Sequence, residues 1–500
     1  MSPKATKSLD PALPELGVGI TYCPQIVPLI QDNPGLADVI EVEPQTTWIE
    51  TRQGPEPYLV SESVLEHLAS LPGRKLVHSV GTPVGGTVRP QPAQLSLLCQ
   101  AVGRLGSPWF SDHLSFNATP EFSTGFFLPP RQTEEGITTV VEAIGDLQAA
   151  IPVPIAVETG VNYLRPRSDE MADGRFTSAV VKAAGCGLLL DLHNIFANAL
   201  NGRQPVDEFL GQVPLDRVWE IHLAGGFEMD GFWLDAHSGA IPDHLLDIAR
   251  RVIPALPNLK AIIFEIFPSF LPAVGMETVR QQLEILHDLW DLRGRTPGAP
   301  LPPQQKDQKT PAGINNGLPP SAWEEALGEL VIGRAPGSDL AEELSDDPGV
   351  ELVNKLICEF RASMVVSVLR LTSRFMMLAL GTDVFRAILE DFWRNHPPQL
   401  FAGTEADVFA DYLVALDLQL PHLSEILAFE QAVLATLVDD QSRVVTFDFD
   451  PLPLFRALAE GRLPDQPGQP GLFEIEVTAD GPVSANGLDL ETVSQVFPFH

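Results

Sequence analysis

The sequence predicts an α/β chain. Residues 1–292 are expected to fold as a (β/α)8 TIM barrel, followed by a mainly α-helical domain with some β structure. Three observations carry this expectation. Eight short apolar runs recur along the first part, stretches with helical spacing separate them, and the polar residues cluster at the C-terminal ends of the runs. Continuous apolar strands alternating with amphipathic helices mark a parallel sheet covered on both faces. Eight such units in about 250 residues match the count and size of a (β/α)8 barrel. An open doubly wound sheet is the alternative, but no glycine-rich phosphate loop follows the first run, so a nucleotide fold lacks its signature.

The runs, in order, are LGVGIT (16–21), DVIEVE (38–43), KLVHSV (75–80), SPWFSDH (107–113), VPIAVE (153–158), GLLLDL (187–192), RVWEIHL (217–223) and AIIFEI (261–266). Helical spacing is clearest in SESVLEHLASL (61–71), TEEGITTVVEAIGDLQAAI (133–151) and PDHLLDIARRVI (242–253). Residues 293–320 are rich in Pro, Gly, Gln and Lys without an apolar period, and read as a flexible linker. Residues 321–500 then read as amphipathic helices, with VVTFDFD (444–450) and LFEIEVTADG (472–481) alternating like strands.

Composition excludes several function classes. The chain has 32 Lys and Arg against 66 Asp and Glu, a formal net charge of −34. That argues against nucleic acid, which needs clustered cations. No apolar stretch is long enough to span a membrane. The N-terminus, MSPKATKSLDPALPE, has no apolar core of a secretory signal. Cys23, Cys99, Cys186 and Cys358 are far apart and form no CxxC pair, which points to the reducing cytoplasm.

The polar residues at the strand ends are Glu41 and Glu43, His78, Asp112 and His113, Glu158, Asp191, His193 and Asn194, His222, and Glu265. In a (β/α)8 barrel those ends converge on one face, where the βα loops build the active site. Asp235 and His237 follow strand seven and belong to the same face. Carboxylates and imidazoles crowded there without a cation would be costly to bury. A divalent metal resolves this, and nitrogen and oxygen donors without sulfur suit Zn, Fe or Mn. More than four candidates point to two or three ions with a bridging carboxylate. His67, His244 and His287 lie in helical stretches, and His396, His422 and His500 lie outside the barrel.

LVHSVG (76–81), FSDHLSF (110–116), AVETG (156–160), GLLLDLHNIFANALNG (187–202), EIHLAGG (220–226), LDAHSG (234–239) and IFEIF (263–267) together resemble a known family. It is the multinuclear non-haem iron oxygenases that modify ribosomal peptides, typified by methanobactin oxazolone synthase. The resemblance spans residues 14–290 and implies a xylose-isomerase-like barrel. It also implies two or three irons of mixed valence, and oxidation of a precursor-peptide residue, often Cys, with O2. By motif, the implied metal ligands are His78, Asp112, Glu158, Asp191, His222, Asp235, His237 and Glu265. His113 and Asn194 stand beside them as ligands or supporting residues. The chain departs from the family at EVEPQTTW (41–48), where Glu43 takes a histidine's position and Gln45 a glutamate's. One iron site is therefore altered or missing. His193 stands where Asn is usual and could supply a replacement imidazole, and Thr159 also replaces an Asn.

Residues 369–416 and 420–437 resemble the helical partner proteins that accompany these oxygenases and help hold the peptide's leader. The resemblance implies that the partner is fused into this chain. Rival readings of the same residues are a metal-dependent hydrolase of the endonuclease IV type, a sugar isomerase with two divalent ions, and a degenerate, non-catalytic metal-binding protein.

Overall fold

The computed structural model describes residues 13–51, 57–295, 301, 303, 317–465, 468–478 and 481–484. Each apolar run yields one barrel strand: β1 (Gly17–Thr21), β2 (Val39–Val42), β3 (Arg74–Ser79), β4 (Phe110–His113), β5 (Ile155–Glu158), β6 (Gly187–Asp191), β7 (Val218–Ala224) and β8 (Ala261–Glu265). All neighbours pair in parallel and β8 closes on β1. β4 and β5 start later than expected because Pro108 and Pro154 precede them, and proline has no N–H for a ladder. The expected helices appear as Glu62–Ser70, Glu134–Ala150 and Asp243–Val252.

The barrel interior is layered. Leu16, Val39, Leu76, Trp109, Ala156, Trp219, Ala261 and Ile263 pack its base. A bulge helps fill it: Leu188 pairs with Val218 and Leu189 with Glu220, leaving Trp219 as the extra residue. Trp219 therefore joins the base, while Glu220 and His222 point inward above it. Val218, Ile221 and Leu223 face the surrounding helices.

Three hairpins, not anticipated from the sequence, rise from the mouth after β2 (Trp48–Glu50 with Tyr58–Val60), β4 (Phe116–Ala118 with Ser123–Leu128) and β7 (Phe227–Met229 with Phe232–Leu234). Helix Pro320–Val331 and the start of Pro348–Val368 pack on these loops. Trp323, Leu327 and Val353 share one core with Phe116, Tyr163, Leu164 and Leu234. The rest of the chain builds its own core from helices between Arg370 and Ala459 and an antiparallel sheet of Arg443–Phe449, Pro470–Thr478 and Gly481–Ser484. Most of the expected linker at 293–320 lies outside the described residues, as do residues 1–12, 479–480 and His500. Among the described residues no single helix is long and apolar enough to cross a membrane.

Helix Arg370–Leu380 turns away from Pro348–Val368 by 108°. Its first amides would be orphans at that bend. Glu430 satisfies them from across the core, accepting from the backbone N–H of Leu371 (2.7 Å) and of Thr372 (2.9 Å). Burial pushes the Glu430 carboxyl up to about 7 against those donors. Its folded value is raised, so its contribution to stability is complete below its unfolded value of about 4.5 and is lost as pH rises through 7. The shift is worth on the order of 3 kcal/mol. Urea midpoints should therefore fall between pH 5 and 7 in the parent protein and fall less in Glu430→Gln. Parallel pH profiles for the two proteins would refute this role.

Candidate metal centre

The mouth of the barrel gathers donors delivered by different strands. β4 ends with His113, β5 with Glu158, β6 with Asp191 and β8 with Glu265, while β3 carries His78 one residue before its end and β7 carries His222. Two groups of donors close enough to hold one ion each share Glu158: His78 with His113 and Glu158, and Glu158 with Asp191, His222 and Glu265. Glu158 Oε2 lies 3.1 Å from Nε2 of both His78 and His113. Its Oε1 lies 3.6 Å from His222 Nδ1, which is 3.2 Å from Glu265 Oε2. The loop after β7 brings His237 Nε2 to 2.9 Å from Asp235 Oδ1 and 3.5 Å from Glu265 Oε2.

These distances are short, yet the atoms do not satisfy one another. Glu158 Oε2, Asp191 Oδ2, Asn194 Oδ1, His222 Nδ1, His237 Nε2 and Glu265 Oε2 are buried without a hydrogen-bond partner. Buried polar groups are nearly always hydrogen-bonded. Donor atoms that crowd together without bonding one another converge on common points, as ligands of an ion do. The residues present therefore fit divalent metals with nitrogen and oxygen ligands, iron among them.

Electrostatics agree with that reading. Burial opposes the charge of His78, but the Glu158 carboxylate beside it raises the imidazole to about 10. Burial likewise opposes His237, and Asp235 and Glu265 raise it to about 10. Glu158 is held well below the usual carboxylate range against its burial by His113 and His78. Asp191 is driven well above that range by burial and by the charges of Asp235 and Glu158. Without a cation, protons must take its place among these groups, and metal binding would release them.

Supporting residues orient the donors. Asp191 also caps the helix Leu192–Leu200, accepting from the Asn194 N–H at 2.8 Å. Asn194 Nδ2 donates to the Thr159 carbonyl at 3.1 Å. His78 Nδ1 meets Ser111 Oγ at 2.9 Å. Asp112 stands outside both groups, accepting from the Thr82 hydroxyl at 2.6 Å and the His113 N–H at 2.7 Å. Glu43 faces the centre: burial raises its carboxyl, with His78, Glu265, His113 and His237 as its charged neighbours.

Beneath the centre lies a group that sequence reasoning did not assemble. Glu41 Oε2 is 3.2 Å from His222 Nε2, and Glu220 Oε1 is 3.7 Å from the same nitrogen. Glu41 stood out in the sequence as a polar residue in an apolar run, but Glu220 did not. Glu220 is fully buried and accepts from Trp109 Nε1 at 2.9 Å. His222 thus offers Nδ1 to the centre while Nε2 is held by a carboxylate, an arrangement that fixes a ligand's tautomer and raises its basicity.

Comparison with known proteins agrees with the residues. A family model described as RiPP precursor modification enzyme MbnB/TglH/ChrH matches residues 17–270. A UPF0276 protein of Streptomyces avermitilis is 32% identical over 252 residues, covering 48% of this chain and 49% of the relative. One from Chromobacterium violaceum is 29% identical over 241 residues, covering 47% of this chain and 86% of the relative. The chain thus spans about half the length of the Streptomyces relative. Among solved structures, D-psicose 3-epimerase of Clostridium cellulolyticum aligns with a TM-score of 0.38 and 10% identity, over 55% of this chain and 99% of its own. Endonuclease IV of Thermus thermophilus aligns with a TM-score of 0.35 and 16% identity, over 56% and 99%. With the family match covering the whole barrel through β8, the chain belongs to the MbnB/TglH/ChrH family of RiPP precursor modification enzymes.

Proposed function

We propose that this chain uses two or three irons and O2 to oxidise a residue, Cys in the first instance, of a ribosomally made precursor peptide. The observation that carries the reading is the pair of donor groups joined through Glu158. In this reading Asp191, His222 and Glu265 would hold one ion and His78 and His113 another, with Glu158 available to both. Glu43, Asp235 and His237 stand at the rim and would supply further ligands. Iron bound there would supply the redox chemistry with O2.

The chain's own residues set where that chemistry happens. Glu43, His113, Asp235 and His237 are the partly exposed members of the set, so an entering side chain meets them first. Phe127 stacks on His113 with ring centroids 4.0 Å apart, and Phe267 lies 4.6 Å from His237. These rings flank the mouth. A cleft of about 400 Å³ runs beside it, from Gly81 and Thr82 past Phe116 and Phe122 to Pro397 and Pro398. We assign this cleft to the peptide, and residues 321–500 to presenting it as a fused partner domain.

The test is metal analysis and Mössbauer spectroscopy of the purified chain, then incubation with a Cys-bearing precursor peptide and O2. A mass change confined to the peptide's Cys residue is expected. A chain that holds no iron after both aerobic and anaerobic purification would sink the reading. Zinc in its place, with phosphodiester cleavage, would favour the hydrolytic rival.

A further inference from the structure

We infer that His193 is a positioning residue and not a metal ligand: with Trp233 it forms a hydrogen-bonded strut that fixes Asp235 over the centre. The inference rests on the metal reading of this site and names how the loop after β7 is held to it.

Both ring nitrogens of His193 are occupied. Trp233 Nε1 lies 3.1 Å from His193 Nε2. An indole N–H can only donate, so Nε2 accepts and carries no proton. The ring proton is therefore on Nδ1, which donates to Asp235 Oδ1 at 3.0 Å. The imidazole side chain is fully buried, so neither nitrogen has another outlet. His222 Nδ1 and His237 Nε2 are the contrast, buried with no hydrogen-bond partner. The imidazole at 193 thus does not stand in for the histidine replaced by Glu43.

The surroundings are shaped for the strut. A Cβ on Gly226 would sit 2.6 Å from Trp233 Nε1 and 2.7 Å from His193 Nε2, on top of the bond between them. The loop is pinned on either side of it. Trp233 N donates to Asn201 Oδ1 at 2.8 Å, Asn201 Nδ2 returns a bond to the Trp233 carbonyl at 3.0 Å, and Asp235 N donates to the Tyr163 hydroxyl at 3.0 Å. His237, two residues on, adopts a left-handed φ of 45°.

Two measurements decide the matter. Hydrogen exchange of metal-free protein reads the strut itself: His193→Ala and Trp233→Phe should each speed exchange across residues 227–239, and His193→Asn, which keeps a donor toward Asp235, should restore protection. Manganese(II) titration followed by electron paramagnetic resonance reads the metal. His193→Ala should weaken one ion roughly 10–100-fold, the range for an outer partner of a ligand. It should leave the number of manganese-coupled histidine nitrogens unchanged and add nothing to Asp235→Ala. Loss of a coupled nitrogen in His193→Ala, or unchanged loop exchange, would overturn the inference. Should the parent protein take up no manganese, the metal reading fails, and the exchange arm still decides whether the strut holds the loop.

Discussion

On the proposed metal reading, Glu158→Ala is expected to release both ions of the two donor groups at once, whereas Glu265→Ala should release one. The difference follows from the geometry. Glu158 belongs to both donor groups and its two oxygens point to opposite sides, Oε2 to His78 and His113 and Oε1 to His222. Glu265 belongs to one of the two. Removing a shared ligand should weaken binding by more than the roughly 10–100-fold that outer partners contribute. The variant also strips His78 of the carboxylate that favours its charged form, so it should become a neutral, buried imidazole. The loss of one negative charge is thereby offset, and the barrel should keep its fold. Metal stoichiometry after dialysis, with circular dichroism as the fold control, checks this. Full stoichiometry in Glu158→Ala would mean that the two groups do not share an ion-bridging carboxylate.

The parts of this centre legible in the sequence are those that a strand delivers directly. A parallel strand buried on both faces is a continuous apolar run, so His78, Glu158, Asp191, His222 and Glu265 stand out by polarity at the ends of β3, β5, β6, β7 and β8. What could not be read depends on contacts between distant segments. Glu220 sits in VWEIHL, where a period of two would send Trp219 and Glu220 to opposite faces. The bulge at Trp219 turns both toward the interior, and nothing local announces it. His193 looked like a spare imidazole because its neighbours in sequence do not show that its nitrogens are taken. The residues that take them, Trp233 and Asp235, lie 40 and 42 positions away. The hairpins at the mouth have strands as short as three residues, too short for periodicity to register. The shared core between barrel loops and the helices after residue 319 joins segments distant in sequence, so it left no local pattern to find.

That shared core makes Arg131 the second position where a large effect is expected. Arg131 lies beyond the hairpin after β4, its side chain fully buried. It donates to Asp169 at 2.5 Å and Glu170 at 3.0 Å, and its guanidinium lies 5.0 Å from the ring centroid of Trp323. Trp323, from helix Pro320–Val331, closes the contact by donating to the Pro129 carbonyl at 2.9 Å. Arg131→Ala leaves Glu170, whose carboxyl burial already pushes up, without its nearest cation. Breaking a buried pair from one side costs about 3–5 kcal/mol. Replacing a buried ion pair by apolar residues of similar volume is often neutral, and Asp169 keeps its bond from Arg167, so Arg131→Met with Glu170→Leu should recover much of the loss. Urea unfolding followed by tryptophan fluorescence measures both, and a cost below about 1 kcal/mol for Arg131→Ala would show the pair to be dispensable. The effect should also reach the metal centre from one side. Tyr163 packs in the same core as Trp323 and accepts from the Asp235 N–H, whereas His78 and His113 are held by Ser111 and the Ser79 carbonyl within the barrel. Loosening the helix should therefore weaken the ion next to Asp235 and His237 while sparing the one between His78 and His113. Equal weakening of both ions would mean that the barrel itself, and not the loop after β7, had yielded.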